Sequence, residues 1–161
     1  MAIDDDTLRA QLSVLDRLID ERPEAEHDHP MTPAQTLQRL RNAVRRDLEA
    51  LLNTRERCRG WPDVLGEIDS SVVGYGLPDF AVLSMQGDWR QNLRRRVQET
   101  IRRFEPRLSS VEVRFEGIGD ELDRAARFRI EALMQADPAP EPVSFDTSVD
   151  ALTRQMSVAD G

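Results

Sequence analysis

The apolar residues of this chain change period once, at Pro106, and that change limits the folds open to it. Before Pro106 they recur every three or four positions. Leu37, Leu40, Val44, Leu48 and Leu51 form one stripe, and Leu93, Val97, Ile101 and Phe104 form another. Such spacing gathers each set on one face of a helix. After Pro106 the period is two: Val111, Val113 and Phe115 alternate with Glu112, Arg114 and Glu116, and Phe128, Ile130 and Ala132 alternate with Arg127, Arg129 and Glu131. Alternation sends successive side chains to opposite faces of a strand. Val143, Phe145 and Thr147 suggest a third, shorter strand. Helices first and strands afterwards, with short connections, predict an α+β fold: N-terminal helices followed by a small antiparallel β-meander in a single domain. At 161 residues the chain is long enough to bury such a core.

Boundary signals sharpen this outline. Thr32 suits an N-cap, Pro33 suits the first helical position, and Gln35 completes a capping box for a helix running to about Asn53. Asp88 can cap the next helix, and Pro106 disfavours the helical state at Glu105. Leu8, Leu12, Leu15 and Ile19 share the face of a shorter amphipathic stretch. The polar, proline-bounded run Asp20–Pro30 reads as a linker. The chain therefore divides into an acidic N-terminal segment (1–30), a main domain (31–149) and a C-terminal tail (150–161). Between 59 and 87 five glycines and two prolines break the periodicity. That stretch reads as an ordered loop with one or two short turns, its aliphatic and aromatic residues expected to be buried.

Charge and cysteine content exclude several classes. The net charge is -8, yet residues 31–60 and 87–107 each carry seven arginines against three acids. All 22 basic residues are arginine, whose rigid fork suits paired carboxylates. Glu99 stands at helical spacing from Arg95 and Arg103, so the arginine runs read as solvated or protein-facing rather than as a nucleic-acid site. A lone Cys58 offers no disulfide framework and suits a reducing compartment. No apolar run approaches the roughly 20 residues that span a bilayer, and the acidic start does not resemble a secretory signal. Direct membrane insertion is not expected.

No motif predicts catalysis, a cofactor or a metal. His27 and His29 sit in the acidic linker without the rigid four-ligand set of a structural zinc site. A muramidase needs two carboxylates flanking the bond. Only Glu141 and Asp150 have a phage-lysozyme spacing, and Met156 stands where a threonine would be needed. The sequence also lacks phosphate-cradling glycine loops and a nucleophile elbow. One element stands out: Glu105-Pro106-Arg107, where the second long helix meets the first strand. Proline fixes the backbone there. The expectation is that both charges are pre-aimed at a partner, the alternative being a helix stop with a surface ion pair.

Several runs, in order, resemble the TssE family of type VI secretion baseplate subunits, within the wedge-protein superfamily of contractile-tailed phages. Leu40–Arg55 (LRNAVRRDLEALLNTR) is similar to that family's helix and its LLNTR signature. Val14–Pro23 resembles its N-terminal element, and Ser71–Phe80 (SVVGYGLPDF) its glycine loop, with Gly74 in place of the usual asparagine. Ile101–Leu108 (IRRFEPRL) resembles its helix end with the EPR motif, and Val111–Phe115 with Phe128–Leu133 its strands. The resemblance implies a non-enzymatic baseplate component that helps start sheath polymerisation, cytoplasmic and docked at the inner membrane. Its implied partners are TssF and TssG, the sheath proteins TssB and TssC, and TssK and the spike hub as further neighbours. The residues implied at partner interfaces are Asn53, Arg55, Tyr75, Leu77, Pro78, Asp79, Glu105, Pro106 and Arg107. A meander also leaves edge strands able to accept a strand from a sheath subunit. An anti-adaptor-like regulatory module of the same fold is the alternative, a peptidoglycan hydrolase the remoter one.

Overall fold

A computed structural model describes residues 13–19, 23–24, 31–56, 62–78, 88–118, 126–137, 139–150, 153 and 155–161. The change of period at Pro106 is the seam of the fold. Helix α1 (Val14–Leu18) is one short turn capped by Ser13. Helix α2 (Pro33–Asn53) begins with the expected capping box: the Thr32 hydroxyl accepts from the Gln35 amide, and the Gln35 side chain accepts from the Thr32 amide. Helix α3 (Trp89–Phe104) is capped by the Asp88 carboxylate, which accepts from the Arg90 amide. Between α2 and α3 lie two 3-10 segments, Asp63–Ser70 and Val72–Gly74.

The strands β1 (Leu108–Ile118), β2 (Ala126–Met134), β3 (Glu141–Val149) and β4 (Met156–Asp160) form one antiparallel sheet in the order β1-β2-β3-β4. The α+β reading and the meander are as the period predicts. The tail expected at 150–161 carries β4, whose Met156 and Val158 are buried. Helix α3 packs along β1, α2 along β4, and the two helices meet over the sheet. Their stripes close on Val111, Val113, Phe128, Ile130, Val143 and Phe145 in one core. On the opposite face the alternate residues pair in exposed chains: Arg114 with Glu112 and Glu131, and Arg129 with Glu116 and Asp146. Each such pair contributes about 0–1 kcal/mol, so this face is held by the core beneath it.

Two details depart from expectation. The register of β1 shifts between Ser109 and Glu112, where Ser110 takes a positive φ of 51°. This is a bulge, and it bends the strand where it leaves the elbow. In the 3-10 segments Val64 is 89% and Val72 90% exposed, and Leu65 and Val73 are exposed too, so the expected burial of the loop's aliphatic residues holds for Leu77 and fails for these four. Turns this short hold no continuous face against the core.

Candidate functional site

The end of α2, the glycine loop at Tyr75–Pro78 and the elbow at Glu105–Arg107 meet at one end of the helical layer. Helix α2 ends because Thr54 turns extended, its hydroxyl bonding back to the Ala50 carbonyl at 2.7 Å. From there the chain pairs with the glycine loop. The Leu77 amide donates to the Thr54 carbonyl and the Glu56 amide to the Leu77 carbonyl, both at 2.9 Å, so Arg55 and Leu77 form a parallel bridge. Gly76 makes this approach possible. Its φ is +114°, and a Cβ there would meet the Thr54 oxygen at 2.4 Å. Gly74 is equally tight: a Cβ would lie 2.5 Å from the Asp69 carbonyl oxygen. Leu77 then inserts fully into the core. Tyr75 stands edge-on to Phe104 with ring centroids 5.3 Å apart, fixing the loop to the end of α3.

The elbow completes the cluster. Arg107 grips Glu105 through Nε and Nη2, both at 2.6 Å, and Nη2 also reaches Asp47 on α2 at 2.7 Å. Asp47 in turn pairs with Arg46, and Arg46 with Asp16 of α1, both at 2.9 Å. Five alternating charges thus tie α1, α2 and the start of β1 together. Glu105 is only 4% exposed. The expectation that both charges project toward a partner is therefore corrected at Glu105 and Arg107. They turn inward because α2 places Asp47 beside the elbow and the bidentate geometry suits Arg107. The Arg107 guanidinium is held far above its usual range by its bonds to Glu105 and then to Asp47, against the effect of burial, so it carries its charge throughout. Burial pushes the Tyr75 hydroxyl up, with the charges of Asp47 and Glu105 adding to it. Burial opposes ionisation of Asp16, yet the Ser13 hydroxyl and Arg46 hold its carboxyl below the usual value.

The other expected interface residues spread around this cluster. Arg55 and Pro106 are exposed and Pro78 half-buried, while Asp79 lies outside the described residues, as do Phe80, Cys58, His27 and His29. Asn53 faces the sheet: its side-chain amide donates to the Glu49 and Met156 carbonyls and accepts from the Met156 amide, all at 2.8 Å. Asp47, Arg46 and Asp16 were missed from the sequence. The adjacent opposite charges of Arg46-Asp47 on α2 were the available signal. Glu141 is the first of the nine residues of β3 and Asp150 directly follows its last. At about 3.4 Å per residue that separates them by roughly 30 Å, several times the span across which two carboxylates act on one glycosidic bond.

Ion pairs and backbone hydrogen bonds thus hold the end of α2, the glycine loop and the elbow together. The sequence profile described as baseplate wedge protein gp25 matches residues 38–139, well over half of the chain, and the chain belongs to that family. The match covers α2 from residue 38 onward, α3, β1 and β2, with β3 and β4 beyond it. No curated protein and no solved structure matches the chain.

Proposed function

We propose that this chain is the TssE-type wedge subunit of a bacterial type VI secretion baseplate, working as a structural part and not as an enzyme. The observation that carries the reading is the meeting of the LLNTR, YGLP and EPR segments in one junction of fixed shape. Arg55, Pro78 and Pro106 form its accessible rim, with Tyr75 half-buried behind it and Asp79 next in the chain. Asn53, Leu77, Glu105 and Arg107 hold that rim in place. TssF and TssG dock on this end, TssK and the spike hub are further neighbours, and the sheet accepts the sheath proteins TssB and TssC by strand addition. The protein acts in the cytoplasm, within a baseplate docked at the inner membrane.

Val64 and Val72, nearly fully exposed in the loop that leads to Tyr75, supply the apolar contact that an assembly interface needs. The test is purification of the tagged chain from a cell with an active type VI system, with partners identified by mass. TssF and TssG in stoichiometric amount are the expected result. A response regulator in their place, or neither, would overturn the reading.

A further inference from the structure

Helix α1 carries its apolar side outward. Val14 with Leu18, and Leu15 with the C-cap Ile19, stand four residues apart, which puts all four on one side of the helix. A helix laid on a core turns such a side inward. In α1 Leu18 is 76% exposed and Val14, Leu15 and Ile19 are exposed as well, while the buried residue is Asp16, at 6%. Polar contacts account for the reversal. Asp16 accepts from the Ser13 hydroxyl at 2.5 Å and pairs with Arg46 of α2 at 2.9 Å. Arg46 also holds Asp47, and Asp47 holds Arg107. Charge therefore seats α1 beside the elbow and leaves its apolar side facing solvent.

Three occupants of that side differ in charge. Residues 1–30 hold nine acids against three arginines, a net of -6, and Asp20 and Glu21 follow α1 directly in the sequence. A second copy of the chain would bring the same acids, and like charges at a contact are unfavourable. An anionic lipid surface is repelled by them too. A helix of another chain, apolar along one face and flanked by lysine or arginine, suits both the exposed side chains and the acids around them. Four side chains cover far less than the roughly 800 Å² per partner that a stable interface buries. The contact is thus one part of a larger one, continuous with the rim at the elbow.

We infer that α1 is a docking helix, whose outward side of Val14, Leu15, Leu18 and Ile19 packs against an amphipathic helix of a partner chain with lysine or arginine beside its apolar stripe. The pair of Asp16 and Arg46 holds that side outward. The identity of the partner as a wedge protein rests on the wedge reading above; the chemistry of its helix does not.

The test places a photo-cross-linking side chain at Leu18, in cells with an active type VI system, and identifies the joined peptide by mass. The expected product is a segment with apolar residues three or four apart and lysine or arginine on its flanks. The double variant Leu15→Glu/Leu18→Glu is expected to melt as the wild type does, because both side chains are exposed. Its recovery of that partner should fall by at least about tenfold. A product with a second copy of the chain, with lipid or with an acidic segment would overturn the inference. So would wild-type recovery of the partner by the double variant, or a lowered melting temperature, which would place the two leucines in the core. No product from Leu18, while the tagged chain still recovers TssF and TssG, would overturn the inference alone. A basic amphipathic helix belonging to a protein outside the baseplate would overturn the wedge reading alone.

Discussion

Arg107 is the residue on which the junction turns. It satisfies Glu105 and Asp47 at once, and one of its terminal nitrogens, Nη1, is buried without a hydrogen-bond partner. Removing Glu105 leaves that guanidinium with only part of its compensation. Breaking a buried pair from one side costs about 3–5 kcal/mol, so Glu105→Ala should show a loss of that order in chemical denaturation. Arg107→Lys should also be destabilised, because an ammonium cannot bridge two carboxylates in the plane of the fork. A loss below about 1 kcal/mol for Glu105→Ala would return the elbow to a surface ion pair. Gly76 makes a second test. With its φ of +114° and the Thr54 oxygen in the way, Gly76→Ala should cost at least about 2 kcal/mol and loosen the bridge between Arg55 and Leu77. Full stability in that variant would mean that the loop is not seated on α2 as described.

The long elements were legible in the sequence because each carries its own periodic stripe and its own stop signal. Thr32, Pro33 and Gln35 mark one start, Asp88 another, and Pro106 the change to strands. The parts that escaped were short or long-range. Strand β4 holds five residues and two buried apolar side chains, Met156 and Val158, too few to establish a period. Its place is fixed by Asn53, 103 residues away in sequence. The inward turn of Glu105 and Arg107 depends on Asp47, 60 residues from Arg107. The 3-10 segments expose valines that composition alone assigned to the interior. Two expectations belong to this scale. Asn53→Ala removes three hydrogen bonds and should cost about 2–3 kcal/mol, with faster hydrogen exchange at Met156; unchanged exchange there would contradict the bonds from Asn53 to β4. Helix α1 is tied to α2 through Asp16 and Arg46, and the lowered folded pKa of Asp16 fixes the sign of the pH effect. The contribution is complete above the ordinary value of 3.8 and is lost as pH falls through the lowered folded value. Amide exchange in α1 should therefore accelerate only below 3.8, and a tether already lost at higher pH would contradict the pairing.

For the whole molecule, the arrangement separates two tasks. The junction of α2, the glycine loop and the elbow forms one end, while the sheet has α3 along β1 and α2 along β4. A chain with net charge -8 that carries 11 of its 22 arginines on its three helices can present different surfaces to different neighbours. No helix among the described residues is long and apolar enough to cross a membrane. The central claim is that the motif-lined end is the face that docks into the wedge. The most direct measurement places a photo-cross-linking side chain at Pro106, which is exposed beside the buried charge cluster, in cells that assemble the baseplate. The account expects cross-links to TssF or TssG, and none when the same group is placed at Arg114 on the outer face of the sheet. Cross-links to the wedge proteins from Arg114 with none from Pro106 would contradict it.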